Sequence, residues 1–312
     1  KNGDKKFARL IQLAKELEKK FKNNYLDIEF ASKRGQLYLL QVRPIVLKKK
    51  VLFDRKVFEE SLKKLKNKII KIKKKHYNLF GETSYFGVMP DWNPAEIIGI
   101  KPNQLSISLY QELITDYIWA KNRNRYGFID MKAFHLMTIF LGTPYIDIRI
   151  DFNSWLPENL DDKIKKKLIK YYLSKFKKNK NLHDKIEFEI LFTCFNPLTK
   201  NKLKKIGQKF LNKFDKIKII KELKTINNIA FSKIDQEIKK IEILKKKQID
   251  LKKSNLYPVD KIYWLIEDCK RFGTEPFAGL ARCAFISMEL LYSLVEKNII
   301  SKDEKEKFIR SV

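Results

Sequence analysis

Apolar positions recur along this chain with two different periods. Over residues 4–22, Phe7, Leu10, Ile11, Ala14, Leu17 and Phe21 share one face of a 3.6-residue repeat, which predicts an amphipathic helix. The period then falls to two. Leu26-Asp27-Ile28-Glu29-Phe30 alternates strictly, Lys33-Arg34-Gly35-Gln36 reads as a turn, and Leu37 to Arg43 alternates again before Pro44 closes the unit. An antiparallel hairpin is expected. Helical spacing returns at 53–76 as a long basic helix, near 104–121, and across 161–254, where Ile217, Ile220, Leu223, Ile226 and Ile229 mark a helical bundle with a Lys-rich outer face. Residues 259–271 and 276–297 read as two helices around a loop, Phe272-Gly273-Thr274-Glu275-Pro276, and Ser301 with Glu304 forms a capping box for a last helix. Gly, Pro, Trp, Asp and Arg concentrate in 81–160. The expected fold is mainly α (α+β), a helical domain with a small antiparallel β-hairpin at its N-terminal end.

Charge changes this picture less than its size suggests. Lys and Arg number 67 against 37 Asp and Glu, a net charge of +30 in 312 residues. Such an excess ordinarily points to nucleic acid or an acidic surface. Here only 10 of the cations are Arg, and the runs Lys165–Lys167 and Lys245–Lys247 have no interleaved aromatics. Nucleic-acid readers use the planar fork of Arg and stacking rings, so neither nucleic acid nor membrane is expected as a partner. No run of about eighteen apolar residues is read in the sequence. Cys194, Cys269 and Cys283 are odd in number and widely spaced, which argues for a reducing, cytoplasmic setting without disulfides or a zinc site. The opening Lys1-Asn2-Gly3-Asp4 carries neither an initiator Met nor a signal pattern, and reads as a cut within a longer protein.

Chemistry concentrates in the hairpin. Alternation puts Leu26, Ile28 and Phe30 on one face and Asp27 and Glu29 on the other, and on the second strand it sets Tyr38, Leu40 and Val42 against Leu39, Gln41 and Arg43. A carboxylate and a carboxamide oxygen suit Mg²⁺, and a guanidinium beside them suits phosphate oxygens. Alternation alone equally describes an ordinary hairpin with a wet polar side. The segment Asp27-Ile28-Glu29-Phe30 followed by Tyr38-Leu39-Leu40-Gln41-Val42-Arg43-Pro44-Ile45 resembles the closing hairpin of the ATP-grasp domain in the phosphoenolpyruvate synthase, pyruvate phosphate dikinase and rifampin phosphotransferase family. That resemblance implies ATP and Mg²⁺ as cofactors, with Glu29 and Gln41 as metal ligands and Arg43 on the ATP phosphates. Phe30 departs from the Trp frequent at its position. The implied organisation is an ATP-grasp end over 1–50, a connecting helix over 51–80 and a helical substrate domain over 81–312. The remaining ATP-grasp elements and the phosphohistidine swivel domain would belong to the rest of the polypeptide, and the chain by itself is expected to be inactive. Its three histidines, His76, His135 and His183, lack the Thr/Ser- and Gly-rich setting of the family's phosphoryl carrier. His76 is expected to be solvated and His135 to be a structural side chain among apolar neighbours.

The substrate domain lacks the strand–helix alternation of a TIM barrel, so it does not resemble the carbon-substrate domain of the synthases. Gly87–Gly99, Pro144–Arg149, Phe152–Pro157 and Gly273–Arg282 resemble instead the synthase-like kinases that accompany bacterial polysaccharide genes, among them the L-glutamine kinase of capsular phosphoramidate synthesis. This implies transfer of a phosphoryl group to the side-chain amide of L-glutamine. A rifampin-phosphotransferase-like antibiotic kinase, a phosphoenolpyruvate synthase-like enzyme and a Lys-rich scaffold for polyanions are the alternatives. Where Lys is the default cation, an Arg marks a need for planar contact. Arg123, Arg149 and Arg282, with Asp91, Glu96, Asp147, Asn153 and Ser154, are therefore the expected acceptor-binding residues. Arg149 and Asp147 are the first choice, on the expectation that 145–149 is extended and turns both toward a cleft.

Overall fold

The computed structural model describes residues 2–45, 54–208 and 210–311. They fall into two compact units, 1–60 and 61–312. The first holds α1 (Asn2–Phe21), β1 (Leu26–Lys33) and β2 (Gln36–Pro44), with β1 and β2 paired antiparallel as expected. Gly35, at φ 80, supplies the left-handed turn residue that a short hairpin loop needs. One feature of the alternation is corrected. Glu29 pairs with Gln41, but Phe30 pairs with Leu39, so Leu40 is an extra residue at a β-bulge. Leu39, expected beside Gln41, therefore joins Phe30 on the other face. The large apolar side chains of the hairpin are also open to solvent: Phe30, Tyr38, Leu39 and Leu40 are all exposed.

The connecting helix α2 (Arg55–Lys73) crosses the boundary between units; the expected residues 51–53 lie outside the described segments. The second unit continues with β3 (Phe86–Gly87), α3 (Pro94–Ile97), α4 (Gln104–Tyr110) and α5 (Ile118–Arg125), then β4 (Met137–Phe140), β5 (Thr143–Asp147) and α6 (Ile148–Ser154). After these come α7 (Asp162–Lys178), α8 (Ile186–Glu189), α9 (Thr199–Lys204), α10 (Lys213–Ser232), α11 (Ile234–Lys253), α12 (Pro258–Asp268), α13 (Glu275–Glu296) and α14 (Lys302–Ser311). The described residues are thus mainly helical, with two small antiparallel sheets. The second sheet, ordered β3-β5-β4, was not expected, because its strands are too short to show a period.

Two helical segments differ from the sequence reading for one reason. The helix expected over 104–121 is α4 and α5 joined through a π-helical turn at Gln111–Thr115. Likewise the expected loop at 272–276 is a π-helical turn, Cys269–Thr274, that carries α12 directly into α13. Gly273 and Pro276 marked a break, but the chain stays helical through both, with Pro276 in the first turn of α13 just after the π-helical turn. The resulting run Pro258–Glu296 is long and apolar enough to cross a membrane by length and composition, which corrects the expectation that no such segment exists. The capping box at Ser301 and Glu304 forms as expected, with reciprocal bonds of 3.1 and 2.8 Å.

The core of the second unit is built on α6, α7 and α10, where Phe152, Trp155, Leu168, Ile169, Tyr172, Ile219, Leu223 and Ile226 pack together. A second cluster holds Ile107, Tyr110, Trp119, Met131, Leu136 and Ile146. Buried charge ties α5 to the C-terminal helices. Arg125 bonds both Glu237 of α11 and Glu275 of α13, while Lys121 and Lys240 also reach Glu275. Gly279 permits the close approach, since a Cβ there would stand 2.2 Å from the Tyr126 hydroxyl.

Candidate functional site

Two clusters of chemistry-bearing side chains stand out, one in each unit. In the hairpin the ladder sets Asp27 opposite Arg43 and Glu29 opposite Gln41. Alternation brings all four side chains to one face. Arg43 Nε donates to Asp27 Oδ2 at 2.7 Å, and its Nη2 lies 3.9 Å from Glu29 Oε1. The hydrogen bond from Arg43 to Asp27, reinforced by Coulomb attraction, raises the Arg43 pKa above its ordinary value. Asp27 was not among the expected site residues. As cross-strand partners Glu29 and Gln41 offer a carboxylate and a carboxamide on one face, a donor set that suits Mg²⁺ keeping several of its waters. Among the described residues no group of three or more His, Cys, Asp and Glu side chains is arranged to hold a metal ion.

In the second unit a cavity of about 220 Å³ opens between α5, α13 and the loop before α3. Its walls are mostly aromatic: Trp92, Trp119, Tyr126, Phe128, Trp155, Phe277 and Phe285. Asp91, Arg123, Glu187 and Arg282 add charge to this lining. Arg123 donates to Asp151 Oδ1 at 3.0 Å and also bonds Asp91 and Ser154, and its guanidinium lies 3.9 Å from the centre of the Trp155 ring. Arg282 packs 5.0 Å from that ring, bonds Glu187 and donates to Thr193 Oγ1 at 3.4 Å. Burial lowers the Arg123 pKa despite Asp151, and burial raises that of Asp151 despite Arg123, because each charge has left water. Two buried atoms of this cluster, Arg282 Nε and Asp151 Oδ2, make no hydrogen bond. Trp92 stands at φ 60, a left-handed conformation unfavourable for a bulky residue by about 1–2 kcal/mol. Its carbonyl accepts a hydrogen bond from the Tyr110 hydroxyl. Strain of this kind persists where the surroundings hold it, often at a binding site.

The expected acceptor residues divide sharply. Asp91, Arg123 and Arg282 line the cavity, with Ser154 bonded to Arg123 from behind. Asp147, Arg149 and Asn153 do not. The extended stretch ends at Asp147, whose carboxylate accepts from the backbone N–H of Arg149 at 3.0 Å and Ile150 at 3.1 Å and so caps α6. An Asp directly before an apolar helical run was the signal that the sequence reading passed over. Arg149 is then helical, and its guanidinium donates to the carbonyls of Ile72, Lys74 and Gly81, closing the C-terminal end of α2. Asn153 bonds the backbone N–H and carbonyl of Phe80. Glu96 is exposed in the first turn of α3, outside the cavity lining. Glu187, Asn122, Phe277 and Phe285 line the cavity but were not singled out, since nothing local distinguishes them. His135 is exposed beside Asp116 rather than among apolar side chains, and His76 is half-buried, stacked on Tyr77. Compared with known proteins, the chain matches no family model, no curated protein and no solved structure.

Proposed function

We propose that this chain contributes to an ATP-dependent phosphotransferase that splits ATP to AMP and phosphate and passes one phosphoryl group, by way of a histidine on a further domain, to a small acceptor. The observation that carries the reading is the hairpin face. Glu29 and Gln41 are cross-strand partners, and Arg43 flanks them with its Nη2 directed toward Glu29. In that arrangement Glu29 and Gln41 would hold Mg²⁺, and Arg43 would exchange Asp27 for phosphate oxygens. Bound Mg²⁺ would supply charge neutralisation for the phosphoryl groups.

The acceptor in this reading occupies the cavity of the second unit, and its identity is L-glutamine, phosphorylated on the side-chain amide. A cavity of about 220 Å³ bounded by two guanidinium groups suits a small polar metabolite. A rifamycin-type antibiotic would require a broader and less charged recess, and a polyanion scaffold would require no enclosed site at all.

Thermal-shift measurements on this chain with L-glutamine, a rifamycin and heparin separate the three. The expected result is a rise in melting temperature with L-glutamine alone. Stabilisation by the rifamycin instead, or heparin binding that falls steeply with salt, overturns the acceptor assignment. In the complete enzyme, Glu29→Ala and Arg43→Ala should each abolish AMP formation, and near-normal turnover in either would remove the hairpin's role.

A further inference from the structure

Charged groups gather in and behind the cavity wall. Two guanidinium groups, Arg123 and Arg282, meet three carboxylates, Asp91, Asp151 and Glu187. The next pair outward, Lys202 with Glu289, is neutral in sum. Of these carboxylates only Asp91 and Glu187 line the cavity; Asp151 is buried behind Arg123. Burial already shifts Asp151 toward its neutral form, so the negative charge a ligand meets is that of the two lining carboxylates.

The positions of the groups point the same way. Arg123 is 6% exposed at its side chain, and its two Nη atoms bond Asp91, Asp151 and Ser154. Its guanidinium also occupies the Trp155 ring. Asp91 and Glu187, at 23% and 16%, are the carboxylates still open to the cavity. Trp92 and Phe277, with ring centres 6.1 Å apart, line the same space and lie over neither Arg. Carboxylates beside uncommitted aromatic faces are what an organic ammonium requires. Arg282 Nε, buried without a partner, is left to donate to a neutral or anionic group at the ligand's other end.

We infer that the cavity selects a small molecule bearing a primary ammonium group and rejects one of net negative charge, and that Glu187 is the residue which sets this discrimination. It rests on reading the cavity as the acceptor site, and on nothing further about phosphoryl transfer. Placing a second anion next to Glu187 is disfavoured by like-charge repulsion in a partly desolvated site, so selectivity comes from what the site repels as well as what it attracts.

Calorimetry on the chain with four matched probes tests the inference: L-glutamine, 4-aminobutanamide, which lacks the carboxylate, glutaramate, which lacks the ammonium, and L-glutamate. The two amines without net negative charge should bind, with glutaramate and L-glutamate at least about tenfold weaker. Glu187→Gln should narrow the ratio between 4-aminobutanamide and glutaramate by about tenfold or more. Asp91→Asn, which alters a separate wall, should shift that ratio in the same direction and serves if the first variant is poorly folded. Equal binding of glutaramate, no binding by either amine, or an unmoved ratio in folded variants overturns the inference. Binding of 4-aminobutanamide without L-glutamine would overturn the glutamine assignment while leaving the ammonium selectivity in place.

Discussion

The hairpin and the cavity both set an Arg against carboxylates, yet the two pairings do different work. Arg43 and Asp27 are 58% and 45% exposed at their side chains; Arg123 and Asp151 are 6% and 1%. Water screens the first pair, so holding it together adds little to the fold and letting it go costs little. Arg43 is thereby free to exchange partners. The second pair has been desolvated, and each charge depends on the other being present. Residues of one chemical type thus serve as an interchangeable surface in one unit and as a fixed frame in the other, with burial as the deciding variable.

The largest test of that contrast is Arg123→Ala. It strands Asp151 and Asp91 without their cation, and loss of one partner from a buried pair typically costs about 3–5 kcal/mol. Urea denaturation should therefore show a large fall in the stability of the variant. A change as small as that expected of a surface substitution would mean the cavity's ion pairs are as loosely held as the hairpin's.

A smaller effect is expected from acid. Burial alone would raise the Glu275 pKa, but bonding and attraction from Lys121, Arg125 and Lys240 outweigh it and hold the carboxyl below its ordinary value. Because the folded value lies below the unfolded one, this contribution is fully present above the ordinary carboxylate range, about 4.3. It is lost as pH falls through the folded value. Denaturation midpoints should decline on acidification below about pH 4, and Glu275→Gln should flatten that part of the profile. An unchanged slope in the variant would show that this cluster does not link α5 to α13 energetically.

The smallest effect belongs to Arg43→Ala, which should leave the denaturation midpoint of the chain almost unmoved because the side chain is mostly exposed and its ion pair is screened by water. A clear loss of stability would erase the contrast and make the hairpin pair structural.

The sequence by itself determined the elements whose residues are neighbours along the chain. The 2-residue period located β1 and β2 and set Glu29, Gln41 and Arg43 on one face, and helical spacing located α1, α2, α10 and α11. The local signals failed where a π-helical turn replaced a break at Gly273 and Pro276, and where Leu40 bulged out of the ladder, because both depend on what packs beside the segment. Only the tertiary structure decided the cavity. Asp91, Arg123, Glu187 and Arg282 are separated by tens of residues and meet through the packing of α5, α8 and α13. The meeting of α6 with the end of α2 took Arg149 out of the site. The pattern marked it as an Arg among loops, but its guanidinium went to backbone carbonyls at the end of α2 that needed a donor. A residue's type states what it is able to bind, and the unsatisfied groups that folding leaves nearest to it determine what it does bind.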